Sequence, residues 1–263
     1  MLRATLKSLL ARKLRLVLSG LAVVLGVMFV AGAFVVTDTL GRTFDGVFAN
    51  AYAETDVAVS AKPKIATSEF EGEQVETPIP AAVVGQVAEV DGVSKATGLI
   101  GVDGARVIGA DGKVLTSQGP PRIGGNWVGT DELLQLREGR GPEAANEIAV
   151  NATVAKAAGI KVGDQVGVLT QQPKKMFTLV GIWGYSGDRD SIGGVQEVAF
   201  TDPVAQQLML GQTGVYTQIV VEAAEGQTPE QVRDRVAAQL GAAYEVKTGA
   251  QLAADSSAGF KEA

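Results

Sequence analysis

The chain has 263 residues, no cysteine, no histidine, and a formal charge of −6 from 23 Lys+Arg against 29 Asp+Glu. These absences exclude a disulfide framework, thiolate nucleophiles, Cys-rich metal centres, Ser-His-Asp triads and imidazole ligands. The acidic balance argues against a nucleic-acid partner, and 46% hydrophobic residues suffice for one large or two small packed domains.

The charges are unevenly placed. Arg3, Lys7, Arg12, Lys13 and Arg15 all precede the first acid, Asp38. The rest of the chain therefore carries 18 basic and 29 acidic groups, a net of −11. Residues 16–36 are uncharged, and 13 of these 21 are Leu, Val or Phe. At ~1.5 Å per residue the run spans about 31 Å, close to a bilayer core. A transmembrane helix is expected over 16–37, with the lipid bilayer as its surroundings. The run exceeds the ~7–15 residues of a signal-peptide core, so it is expected to stay as an anchor despite the small residues Ala31-Gly32-Ala33. The preceding cations place the N-terminus in the cytoplasm and the main domain outside the plasma membrane. Leu2, Leu6, Leu9 and Leu10 share one helical face, so residues 1–15 are expected as a cytoplasmic interfacial segment. Ala22 and Gly26 offer a small-residue face to another membrane helix.

Leu40, Phe44, Val47, Phe48 and Ala51 continue at helical spacing and predict a stalk helix over 38–54. An apolar stripe on a stalk needs a partner. The capping box Thr248-x-x-Gln251, followed by Leu252, Ala253, Gly259 and Phe260, opens a returning stalk helix over 249–263.

The fold class between them is α+β. A strand over 56–60, a helix over 80–90 with Val83, Val87 and Val90 inward, and a strand near Val93 form one half of a lobe. The acidic linker between Pro63 and Pro78, with Glu69, Glu71, Glu73 and Glu76, reads as a solvated loop. The second half is a strand over 217–223, a helix and a strand over 244–248. Thr228-Pro229-Glu230-Gln231 starts that helix, with Val232, Val236, Ala237 and Leu240 facing the core. Strand–helix–strand occurs twice, a ferredoxin-like (porter-like) lobe over 55–102 and 216–248. The inserted lobe, 103–215, is mostly β. It begins with a hairpin turning at Asp111-Gly112 and a short helix over 130–136. A strand over 147–150 then leads to a helix over 152–158 stopped by Gly159. Strands follow at 165–169, after the turn Gly163-Asp164, and at 177–183 and 195–200. Asp202-Pro203 caps a last helix that reaches Leu210.

Three sets of residues carry a family resemblance. The first is Ala11-Arg12-Lys13-x-Arg15, Leu-Ala-Val-Val-Leu-Gly-Val at 21–27 and Val-Val-Thr-Asp-Thr-Leu at 35–40. The second is Glu147-Ile-Ala-Val-Asn, Ala155, Ala158-Gly159, Val162-Gly163-Asp164-Gln165-Val166 and Phe177-Thr-Leu-Val-Gly-Ile. The third is Thr248-Gly-Ala-Gln-Leu252. In this order the chain resembles the N-terminal part of FtsX-like, MacB-type permease subunits of ABC transporters. The resemblance implies an anchored extracytoplasmic core domain, a porter-like lobe with a second lobe inserted. It also implies a cytoplasmic ABC-type ATPase subunit, remaining permease helices or a second permease copy, and an extracytoplasmic partner protein. The chain ends where a second membrane helix is expected, so it reads as a piece of a longer permease. Two other readings are an FtsX-like signalling subunit that activates a cell-wall hydrolase and a stand-alone anchored binding module.

No Walker A motif and no G-x-G-x-x-G after a strand occurs. The chain is therefore expected not to be an enzyme, with no catalytic, cofactor or metal residue assigned. Asp188-Arg189-Asp190 reads as a solvated loop because Arg189 separates the acids. Ser186, Ser191, Ser256 and Ser257 have no evident base. Trp183 is expected in the core or at its rim. Trp127 is expected in a Gly124-Gly125-Asn126 loop, packing locally, and the loop over 185–194 is a candidate partner contact.

Overall fold

In the computed structural model, which describes residues 2–52, 55–63, 77–116 and 119–262, the first element is one helix, α1 (Leu2–Ala51), of 50 residues. At ~1.5 Å per residue it is about 75 Å long. Its section Val17–Thr39 is long and apolar enough to cross a membrane. The apolar side chains there are exposed, Phe29 by 78%, which suits a lipid environment. Thr37 Oγ1 donates to Ala33 O (3.0 Å) and Thr39 Oγ1 to Val35 O (2.7 Å). Both hydroxyls are thus satisfied within the helix, as a bilayer requires. Residues 2–15, expected as a separate interfacial helix, continue α1 without a break. No proline or capping residue stands between Lys13 and the apolar run to end the first segment. The Leu2/Leu6/Leu9/Leu10 face and the Leu40/Phe44/Val47/Phe48/Ala51 stripe lie outside the described side chains. The acidic linker lies outside the described residues except at its ends.

The head follows as β1 (Val57–Ala61), β2 (Ile79–Pro80), α2 (Ala82–Ala88), β3 (Val93–Leu99), β4 (Gly101–Asp103), β5 (Arg106–Ile108), β6 (Arg122–Asn126) and β7 (Leu134–Gly139). Next come β8 (Glu147–Asn151), α3 (Ala152–Ala158), β9 (Gln165–Leu169), β10 (Lys175–Tyr185), β11 (Gln196–Phe200) and α4 (Asp202–Leu210). The chain closes with β12 (Val215–Tyr216), β13 (Gln218–Ala223), α5 (Pro229–Leu240), β14 (Tyr244–Thr248) and α6 (Gly249–Glu262).

One sheet runs β14-β1-β13-β3, antiparallel throughout. Helices α2 and α5 connect its strands, giving the split βαβ arrangement. Its core is Val57, Val59, Ile79, Val83, Val87, Ile219, Val221, Val232 and Val236. α5 starts with a complete capping box, Thr228 with Gln231, which satisfies two otherwise orphan N–H groups. Ala237 is exposed rather than inward; Leu240 supplies the next contact with the core.

The second sheet runs β4-β6-β11-β8-β10-β9-β5, with β7 also on β10. The long strand β10 pairs with β8 along one edge. Along the other edge it pairs first with β9 and then with β7. Phe177 and Phe200 meet at 5.3 Å between ring centroids in its core. Two expectations fail here. Residues 130–136 are not a helix. The Asp131 carboxylate accepts from Leu133 N (2.8 Å) and Leu134 N (2.5 Å), an Asx turn that launches β7. Gly124-Gly125-Asn126 is not a loop but the end of β6. A Cβ at Gly125 would run into Ile100 O, and one at Gly124 into Met209 and Ala105. The glycines let the neighbouring backbones close.

Candidate functional site

The anchor meets the head at a root built from both chain-terminal helices. α1 ends in a turn, with Thr55 N donating to Tyr52 O (3.1 Å). Asp56 then ties three elements together. Its carboxylate accepts from Ala223 N (2.7 Å) and its carbonyl from Gly249 N (3.1 Å). Gly249 touches the end of the stalk so closely that a Cβ would collide with Thr55 O and Tyr52 O. Thr248 and Gln251 form the expected capping box (3.2 and 2.9 Å). α6 then runs back along α1, where Ser257 Oγ donates to Asp45 Oδ1. Lys247 joins β14 to α6 through Asp255 (2.8 Å) and Glu245 (3.0 Å). Its pKa is raised by the hydrogen bond to Asp255 and further by Glu245. A groove of about 450 Å³ opens beside this root, lined by Ala49, Tyr52, Pro229, Glu230, Ala250 and Ala253 among others.

A second junction joins the two sheets. Asn126, at the end of β6, is buried. Its Oδ1 accepts from Ile100 N (2.7 Å), and its Nδ2 donates to Gly98 O (2.9 Å) and Asp202 Oδ1 (3.0 Å). Tyr216 OH donates to Asp202 Oδ2 (2.7 Å). The Tyr216 hydroxyl is pushed up to about 12 by burial and by the Asp202 carboxylate. Asp202 was expected to cap α4. Thr201 holds the cap position without a side-chain bond, and the Asp202 carboxylate serves the junction instead. Thr217 closes the seam, its N and Oγ1 both donating to Leu99 O (2.9 and 3.0 Å).

The model of the MacB-like periplasmic core domain family matches residues 16–239. The chain belongs to this family. Among solved structures it is similar to the periplasmic region of MacB from Actinobacillus actinomycetemcomitans. The identity is 10%, the TM-score 0.49, and the match covers 76% of this chain and 91% of that one. It is also similar to the extracellular domain of the noncanonic ABC-type transporter YknZ from Gram-positive bacteria (12% identity, 73% and 99% covered, TM-score 0.48). A domain of a putative permease protein from Porphyromonas gingivalis matches at 13% identity, 74% and 91% covered, TM-score 0.44. No curated protein matches the chain. The MacB-like assignment makes this a membrane-anchored subunit of the ABC transporter permease type, a family that works with an ATPase.

In this MacB-like head the residues singled out by sequence take definite places. Asp190 is bound by Arg137 and by Lys156 Nζ (2.5 Å). Its carboxyl is held below the usual range, chiefly by Lys156. Arg189 folds onto Ser186 (2.8 Å to its carbonyl), and Asp188 sits at a φ of 55°. The 185–194 loop is thus tied to β7 and α3 through Asp190 and folded back on Ser186 through Arg189. Among the described residues no group of three or more acids suits a metal ion. Ser257 serves the stalk contact already described. Trp183 is buried and packs against Trp127, with centroids 5.6 Å apart and planes at 60°. Sequence reasoning missed Glu197. It lies among these aromatics, accepting from Tyr185 OH (2.6 Å) and Asn151 Nδ2 (2.8 Å). Burial raises its pKa. Burial, followed by the Glu197 charge, also raises that of Tyr185. The only sequence signal was an isolated acid in an otherwise apolar strand, Gln-Glu-Val-Ala-Phe.

Proposed function

We propose that this chain is the anchor-and-head part of an ABC transporter permease, oriented with its N-terminus in the cytoplasm and its head outside the plasma membrane. The head couples ATP-driven motion to the handling or export of substrate outside the membrane. One observation carries the reading. α1 runs unbroken from Leu2 to the head, and α6 returns along it, tied by Ser257 to Asp45 and by the close approach of Gly249. A helix that spans the bilayer without a break passes displacement from one side to the other. ATP hydrolysis belongs to the cytoplasmic ATPase partner, and no reaction is assigned to this chain.

Two experiments test it. The sequence lacks cysteine, so single-cysteine variants label cleanly. Glu225→Cys in intact cells should react with a membrane-impermeant maleimide, and Ser8→Cys only after lysis. The reverse pattern rejects the orientation. Gly249→Val, made in the permease together with its ATPase, should leave a protease-resistant head but abolish ATP-dependent transport. Unchanged transport would reject coupling through the root.

A further inference from the structure

The eight-stranded sheet has two unlike faces. Ile148, Val150, Val198 and Phe200 point to the main core, whereas Ala149, Ala199, Trp183 and Tyr185 form a separate cluster. On this second side Trp183 pairs with Asn151, and Glu197 is hydrogen-bonded to Asn151 and paired with Ile123. The small side chain of Ala199 leaves room above the row. The result is a cavity of about 190 Å³ lined by Trp127, Trp183, Glu197, Ile123, Val128 and Leu134 among others. Ile100, Asn126, Trp183 and Ala199 are buried at its floor, while Val128 is exposed at its rim.

One feature of this cavity is incomplete. The Glu197 carboxylate receives both its hydrogen bonds on Oε2, and among the described residues no ion pair with Lys or Arg reaches it. A carboxylate in apolar surroundings without a countercharge is costly. Two indole rings set at 60° line the same space. Indole faces attract cations, and more strongly where water is excluded. The volume is below the ~300–1,000 Å³ of pockets for drug-sized ligands.

We propose that this cavity is a binding site for a small alkylammonium cation. Its ammonium group pairs with Glu197 over the indole faces, and its short alkyl body lies against Ile123, Val128 and Leu134. The site lies on the inserted lobe and does not depend on the coupling assigned to the stalk root.

The chain has two tryptophans, Trp127 and Trp183, both in this cavity, so intrinsic fluorescence reports on it directly. The full chain in detergent micelles is titrated with n-butylammonium chloride, with sodium chloride and n-butanol as controls. The expected result is a saturable spectral change, absent with sodium chloride and at least about tenfold weaker in midpoint with butanol. Glu197→Gln keeps the shape and an acceptor for Tyr185 and Asn151, and should weaken the butylammonium midpoint about tenfold or more. Trp127→Leu at the rim should weaken it as well, read through the remaining Trp183. Equal responses to sodium chloride, equal binding of butanol, or a Glu197→Gln protein that titrates like the parent would each overturn the proposal.

Discussion

The two lobes bury their chains by different means. The outer lobe buries seven valines and two isoleucines, with Tyr244 half-buried against them. The inserted lobe uses a Phe177–Phe200 contact, and it buries Asn126, Asn151 and Gln206, whose side chains replace missing backbone partners. A regular layer of branched aliphatics follows from pattern alone and tolerates exchange within it. A buried amide with every bond made specifies one geometry and loses it if one partner goes. The outer lobe is thus a regular platform on the anchor. The inserted lobe is held at its own angle by the Asn126–Asp202–Tyr216 cluster.

The strongest way to break this contrast is Phe177→Ala. It should remove about 3–5 kcal/mol from the inserted lobe. In hydrogen exchange the amides of β8 and β11 should lose protection while those of β1 and β13 keep theirs. Simultaneous loss in both sheets would mean that the lobes unfold as one. Asn126→Ala leaves Ile100 N–H and one Asp202 oxygen without a partner and should cost about 1–3 kcal/mol. Differential scanning calorimetry should show the transition of the inserted lobe shifted down and further from that of the outer lobe. A single, unshifted transition would remove the cluster from its role at the seam.

Two smaller effects sharpen the comparison through pH. The pKa of Glu197 is raised on folding, so its contribution to stability is complete below the ordinary carboxylate pKa and lost as pH rises through the folded value. Glu197→Gln should therefore melt higher than the parent at neutral pH, and the gap should close on acidification. The opposite sign applies to Glu147, on β8 at the surface. Its pKa is lowered from 4.5 to about 2, first by the hydrogen bond from Arg140. Its contribution is complete above about pH 4.5 and lost as pH falls toward 2. Its partner Arg140 is half-exposed (46%), so solvent screens the pair and the effect is small. Urea midpoints of Glu147→Gln and the parent should differ slightly at neutral pH and converge in acid.

The outer lobe was readable because its signals are local. Val83 and Val87 recur at helical spacing, Thr228 and Gln231 form a capping box, and strand 244–248 alternates. Gly159 and the Gly163-Asp164 turn made the end of α3 and the start of β9 equally plain. What stayed hidden depends on contacts distant in sequence. β6 contains Arg-Ile-Gly-Gly-Asn, whose glycines resemble a loop until Ile100 and Met209 are placed against them. β7 begins at Leu134, within a helix-forming Glu132-Leu133-Leu134 run that the Asp131 turn and pairing with β10 override. The membrane segment was read from composition, whereas the Asn126 and Glu197 clusters were not. Both join strands that lie far apart along the chain.

The place where the anchor enters the head has a mechanical consequence. α1 leads directly into β1, which lies inside the four-stranded sheet with four register pairs to β13 on one side and five to β14 on the other. Tension drawn through the helix would load these ladders in shear, so that many bonds must yield together instead of peeling one at a time. In single-molecule pulling from the N-terminus, the outer lobe should act as the grip, and the acidic linker after β1 should pay out only once that grip has ruptured.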